Sequence, residues 1–117
     1  MAGLTSALAA SGAAGADVEM PSGLTGHLQE IIVDDAAARY RFRFVAPAFS
    51  TGAGLETVAA DLDHLCAEIA LSEVPEGAQI IISLADQPSE FGVAAPNVTQ
   101  VFEAYRAENG RCMWEEF

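Results

Sequence analysis

Apolar side chains alternate with arginines along residues 39–45, and this alternation is the clearest structural signal in the chain. The alternating residues are Arg39, Tyr40, Arg41, Phe42, Arg43 and Phe44. A hydrophobic period of two is typical of a strand with one buried face. The pattern predicts a strand whose aromatic side chains face the core, while the arginines form a cationic row on the opposite face. Pro47 is expected to end it, because proline has no N–H to donate to a ladder.

Residues 55–71 follow a different period. Their apolar positions recur at spacings of three and four, which is typical of an amphipathic helix. This apolar stripe consists of Leu55, Val58, Ala59, Leu62, Leu65, Cys66 and Ile69. Ser50 or Thr51 is expected to cap the helix, and Asp61 is expected on its polar surface.

Two other β-branched runs predict strands on either side of this helix. Residues 27–34 contain Ile31, Ile32 and Val33, and residues 79–84 contain three consecutive isoleucines. Both runs are short and bounded by turn residues, which favours strands. Residues 86–97 contain two prolines and a glycine and are expected to form a loop.

The last segment has two interpretations. Residues 98–105 are rich in Val, Thr, Phe and Tyr, and Asn109-Gly110 is the strongest short hairpin signal, which favours two antiparallel strands around a type I′ turn. The alternative is a helix capped by Asn97, with Gln100 at its third position and Gly110 at its C-terminus.

The hairpin interpretation also bears on the two cysteines. Its register places Ala107 opposite Cys112 and Tyr105 opposite Trp114, with all four side chains on one face. If that face meets the helix, Cys112 points toward Cys66. In an exported chain an even cysteine count indicates a disulfide, whereas in a cytosolic chain the same pair would be two free thiols.

These elements predict an α+β domain with the order β-β-α-β-β. About five strands would form a mainly antiparallel sheet, with one helix packed on one face. Residues 17–117 are long enough for one core and too short for a two-domain enzyme with a buried cofactor, so we expect a single small domain.

Residues 1–16 have no charged side chain and end in Ala14-Gly15-Ala16. Small residues at these positions are typical of a signal-peptidase site, and the stretch is too weakly apolar to span a bilayer. A basic segment is missing, since no Lys or Arg precedes Arg39. We expect the remnant of a signal peptide and a periplasmic or secreted protein; the alternative is a disordered arm on a cytoplasmic protein.

The chain is strongly acidic, with 17 acidic residues, five basic residues and a net charge of −12. Nucleic acids and anionic lipids need Lys and Arg to neutralise phosphate, so neither is an expected partner. Acidity also promotes solubility by itself.

Three stretches carry a resemblance to a known family, together with the helix and its Cys66: residues 41–47, 80–88 and 102–117. They resemble an uncharacterised family of small alphaproteobacterial proteins, and the likeness extends over most of residues 27–117. It implies an exported single domain with both cysteines, and it brings no activity and no catalytic residues.

No catalytic, cofactor-binding or metal-binding constellation stands out from the sequence, and no cofactor is expected. The leading hypothesis is a non-enzymatic, disulfide-stabilised periplasmic module that binds an envelope protein through Arg39, Arg41 and Arg43. Pairing of these arginines with acidic residues of neighbouring strands is the alternative for that row. The alternative function is a small metal-dependent hydrolase that uses exposed side chains, namely Asp34, Asp35, Asp86 or His64.

Overall fold

The computed structural model describes residues 16–116, and the expected signal-peptide remnant therefore lies almost wholly outside the described residues. Within this range, six strands form one curled sheet, and a helical layer that contains one α-helix packs on it. The strands are β1 (Asp17–Glu19), β2 (Thr25–Asp34), β3 (Arg39–Val45), β4 (Gln79–Ala85), β5 (Gln100–Glu108) and β6 (Arg111–Glu115), and α1 is Leu55–Leu65.

The strands lie in the sheet in chain order, from β1 to β6. Every neighbouring pair is antiparallel except β3 and β4, which are parallel and in register from Arg39 opposite Gln79 to Val45 opposite Ala85. This parallel pair requires a crossover connection, and the helical segment that contains α1 supplies it. The α+β class and the mainly antiparallel sheet agree with the sequence prediction.

The C-terminal hairpin is confirmed, and the alternative helix is wrong. Ala107 pairs with Cys112 and Tyr105 with Trp114, in the predicted register. Asn109 and Gly110 have φ angles of 55° and 74°, as a type I′ turn requires at both central positions.

The sheet has six strands rather than about five, because the three-residue β1 was not predicted. It is too short and too acidic to show a hydrophobic period, and it is held by pairing with the start of β2, where Val18 lies opposite Gly26. A Cβ atom on Gly26 would lie 2.7 Å from the carbonyl oxygen of Val45. Only glycine allows this close approach between β2 and the end of β3.

The helical segment differs in detail from the prediction. After α1 the chain continues as a π-helical turn, Cys66–Ala70, in which the N–H of Leu71 donates to the carbonyl of Cys66, and then as a 3₁₀ turn, Leu71–Glu73. Leu55, counted in the apolar stripe, is 86% exposed. Ser50 caps a preceding 3₁₀ turn, where its hydroxyl accepts from the N–H of Gly52.

One face of the sheet, here called the helix face, packs against α1 and the π turn. Its core contains Phe42, Phe44, Leu62, Leu65, Ile80, Ile82, Leu84 and Tyr105. The disulfide between Cys66 and Cys112 joins the helical layer to β6, with 6.3 Å between the two Cα atoms.

Asp61 is buried, contrary to its expected place on the polar surface of the helix. It is 2% exposed and accepts hydrogen bonds from the N–H of Ser22 at 3.0 Å and from the Ser22 hydroxyl at 2.5 Å. The turn between β1 and β2 thus folds over α1. Helical periodicity cannot reveal this cover, because it comes from a segment 39 residues away.

Candidate functional site

The opposite side of the sheet, here called the outer face, carries the arginine row of β3. Arg39, Arg41 and Arg43 alternate with aromatic residues that face the core, as the sequence predicts, and none of the three arginines is fully exposed. Their surroundings differ from one to the next. The row is therefore not a uniform cationic surface.

A loop between β4 and β5 covers part of the outer face. Its two ends meet where the N–H of Asp86 donates to the Thr99 carbonyl, while the Asp86 carboxylate accepts from the Thr99 N–H at 3.0 Å. From this base the loop, here called the cover loop and spanning residues 87–98, reaches across the sheet to β2. There the side-chain amide of Gln29 donates to the carbonyl of Ser89 at 3.0 Å.

Arg43 is held by the cover loop and by β2. Its guanidinium forms an ion pair with Glu30 and donates to the carbonyl and the hydroxyl of Ser89 at 3.0 and 3.1 Å. The Arg43 residue is 6% exposed. Glu30 lies directly opposite Arg43 on β2. For this arginine, the alternative of pairing with an acidic residue of a neighbouring strand is therefore observed.

Among the described residues, neither Arg39 nor Arg41 is paired with a carboxylate. Arg39 donates through Nε to the side-chain oxygen of Gln79 at 2.6 Å. The guanidinium carbon of Arg41 lies 5.0 Å from the centre of the Phe91 ring, a cation–π contact. Within residues 16–116, no hydrogen bond or ion pair joins the Arg41 guanidinium to another side chain.

A cavity of about 140 Å³ lies beside Arg41 on the outer face. Its apolar walls and its polar groups come from β3, β4, β5 and the cover loop. The lining residues are Arg41, Arg43, Ile81, Ser83, Phe91, Gln100 and Phe102. A cation next to apolar walls, with a hydroxyl and an amide at hand, suits an anionic group joined to an apolar body.

The structure does not bring together the carboxylates proposed for a hydrolase. Asp34 lies opposite Arg39 at the start of β3, whereas Asp86 follows β4 at the other end of the sheet. His64 lies on α1, which packs on the helix face of the sheet. Within the part of the chain that the structure describes, no three His, Cys, Asp or Glu residues cluster as a metal site.

Residues 16–116 contain no helix with the length and hydropathy that a membrane crossing requires.

Sequence reasoning identified the arginine row and missed the cavity. Phe91 is an isolated aromatic residue in a loop of small and polar residues, and it contacts both Arg41 and Arg43. This isolation is the sequence feature that could have indicated a role for Phe91. It does not indicate which face the loop covers.

The fold and the cavity define a small α+β domain with a half-covered cationic cleft on the outer face of its sheet. A family of unknown function (DUF6497) matches residues 3–117, and the chain belongs to this family. Comparisons with curated proteins and with solved structures find no match.

Proposed function

We propose that this domain is a non-enzymatic binding module that recognises a carboxylate joined to an apolar group about the size of a phenyl ring. The observation that carries the proposal is the environment of the Arg41 guanidinium. Its guanidinium lies at a cavity, stacked on Phe91, without a carboxylate partner among the described residues.

Acidic residues far outnumber basic ones, so an arginine without a carboxylate partner among the described residues is unexpected. The chain has 17 acidic residues and five basic ones, and all 17 acidic residues lie from Asp17 onward. Glu30 pairs with Arg43 and Glu115 with Arg106. Arg41 is left available for an external carboxylate, which a guanidinium binds through two parallel hydrogen bonds.

The cavity supports the apolar part of the ligand. Its volume of about 140 Å³ is close to the roughly 150 Å³ that holds one benzene ring. Ile81, Phe91 and Phe102 supply apolar contacts, while Ser83 and Gln100 offer groups for a second polar interaction. Low local polarity strengthens the attraction between Arg41 and a carboxylate.

A protein C-terminus with an aromatic or branched last residue has this chemistry, and so does a free aryl or branched carboxylic acid. We favour a C-terminus of an envelope protein. The Cys66–Cys112 bond supports this setting, because disulfides persist in oxidising compartments such as the periplasm.

Titration with N-acetylphenylalanine tests the site, with N-acetylphenylalanine amide as the matched ligand without the charge. Amide NMR shifts of Arg41, Phe91 and Gln100 should respond to the acid and not to the amide. Arg41→Gln should weaken binding at least tenfold, or about 1.4 kcal/mol. A peptide ending in phenylalanine should bind more tightly than the free acid if a chain terminus is the ligand.

Arg39→Gln is the matched control variant, because it removes the same charge two residues away and Arg39 does not line the cavity. It should leave the affinity within about twofold, a difference of roughly 0.4 kcal/mol. Equal binding of the acid and the amide, or equal weakening by both variants, would rule out recognition of a carboxylate by Arg41.

Export is tested by the intact mass of the protein from its native host, before and after reduction and thiol alkylation. We expect a chain that begins at Asp17, with thiols that alkylate only after reduction. A chain that keeps Met1 and has two free thiols would place the domain in the cytoplasm and remove the envelope partner from the proposal.

A further inference from the structure

Strand β6 forms one edge of the sheet, and it has few of the features by which proteins protect such edges. It is the last strand in the order, and within residues 16–116 no strand lies beyond it. Its five residues, Arg111–Glu115, contain no proline and no lysine. An exposed edge of this kind is a template for pairing with another strand.

The hairpin geometry shows which backbone groups of β6 face outward. Glu108 and Arg111 close a two-residue turn, so they exchange hydrogen bonds, and Met113 and Glu115 likewise bond toward β5. The N–H and C=O groups of Cys112 and Trp114 therefore point away from the sheet. These four groups per chain are available to a new strand.

The side chains of β6 are also unusually apolar for an exposed strand. Trp114 is 57% exposed and Met113 is 38% exposed. Trp114 borders a cavity of about 380 Å³ on the helix face, beside the disulfide, whose lining includes Ala67, Leu71 and Cys112. Exposed large apolar side chains next to a cavity mark an interaction surface.

We infer that the β6 edge binds a second copy of this chain, strand to strand and antiparallel, to form a symmetric dimer with a continuous sheet. This inference is independent of the carboxylate site on the outer face. The charge pattern of β6 itself favours a second copy as the partner.

In an antiparallel pair of β6 strands, residues whose backbone groups point away from the sheet must lie opposite each other. With Cys112 and Trp114 as these residues, three symmetric registers are possible. These centre on Cys112, on Met113 or on Trp114. Only the register centred on Met113 places Arg111 opposite Glu115 of the second copy, twice by symmetry. Among the described residues Arg111 has no ion-pair partner, and this register supplies one. Arg106 of its own chain already contacts the Glu115 carboxylate, which has enough lone pairs to accept from Arg111 of the second copy as well.

The same register places Trp114 of each copy opposite Cys112 of the other. Both side chains lie on the helix face, because Tyr105 and Ala107 are their partners on β5. Each indole then lies over the cavity beside the disulfide of the other copy. The dimer covers the most exposed aromatic side chain among residues 16–116 and fills the cavity that borders it.

Trp114 is the only tryptophan of the chain, so its fluorescence reports this interface directly. Dilution should shift the emission to longer wavelength as the indole becomes exposed, and sedimentation should show a dimer dissociating over the same concentrations. Arg111→Glu should weaken the dimer at least tenfold, since it places two acidic residues opposite each other. Arg41→Glu is the matched control, because it makes the same charge reversal at a residue whose guanidinium contacts Phe91 and not β6, and it should leave the dimer intact.

A cross-link tests the register. Met113→Cys places the new thiols of the two copies directly opposite each other at a pair without backbone hydrogen bonds, where side chains are closest. Mild oxidation should join two chains through this position, as peptide mapping would show. Val33→Cys, an exposed position on β2, should give no such product.

The inference would be overturned if the chain sediments as a monomer up to about 1 mM. A dissociation constant of about 1 mM corresponds to a free energy of dimerisation of only about −4.1 kcal/mol. A dimer that Arg111→Glu leaves unchanged and that Met113→Cys does not cross-link would also overturn it. Capture of an unrelated extended peptide by β6, without self-association, would replace the second copy with that peptide.

Discussion

The phenol group of Tyr105 donates a 2.7 Å hydrogen bond to a carboxylate oxygen of Asp63 and so joins β5 to α1. Burial raises the pKa of Tyr105 well above its usual range, and the hydrogen bond to Asp63 raises it further. The protonated phenol is thus part of the contact between the sheet and the helix. A tyrosinate at this position would be buried and would face the Asp63 carboxylate.

The Tyr105 contact predicts loss of stability in alkaline solution. The pKa is raised in the folded state, so its contribution is fully present below the unfolded value of about 10 and is lost as the pH rises above it. Tyr105→Phe should lower the free energy of unfolding by about 1 kcal/mol at neutral pH and make it fall less steeply above about pH 10. Urea denaturation across this pH range measures both effects, and equal slopes for the two proteins would contradict the prediction.

The disulfide should contribute a large share of the stability. Cys66 and Cys112 are 46 residues apart, and closing a loop of this length stabilises a fold by about 4 kcal/mol in the chain-entropy model. Replacing both cysteines by alanine should lower the free energy of unfolding by about 3–4 kcal/mol in guanidinium denaturation. A reductant should destabilise the native chain and leave the double variant unchanged. A loss below about 1 kcal/mol would show that the bond constrains the unfolded chain little.

The pair of Asp61 and Ser22 should tie the first hairpin to the helix. Asp61 is buried and accepts two hydrogen bonds from Ser22, and hydrogen bonds to charged groups contribute about 1.5–3 kcal/mol each. Asp61→Ala should therefore cost about 2–3 kcal/mol. In a double-mutant cycle, Ser22→Ala should cost clearly less when Asp61 is already alanine. Additive losses would mean that the two residues act separately.

Neighbouring arginines on the outer face should differ in their effect on stability. Arg43→Gln removes the partner of Glu30 and of the Ser89 hydroxyl, and because Glu30 is partly exposed to solvent we expect a loss of about 1–2 kcal/mol. Arg41→Gln removes only a cation–π contact and should change stability by less than about 0.5 kcal/mol. Thermal denaturation of the two variants compares them directly. Equal losses would show that Arg41 also has a structural role.

Features that depend on local pattern were determined by the sequence. The alternation of residues 39–45 predicted which side chains of β3 face the core, because the pleat sends successive side chains to opposite faces. Asn109-Gly110 predicted the turn and, through its two-residue length, the register that brings Cys112 to the helix face. The disulfide with Cys66 follows from that face meeting the helical layer.

The tertiary structure decided what lies against each face. It paired the short β1 with β2, buried Asp61 under Ser22 and laid the cover loop on the arginines, which left Arg41 beside a cavity and Arg43 enclosed. Ser89 lies 46 residues from Arg43 along the chain, and Ser22 lies 39 residues from Asp61. Periodicity shows whether a side chain turns toward or away from the core, because that depends on backbone geometry. It is silent on which distant segment covers that side chain, since this depends on packing of the whole chain.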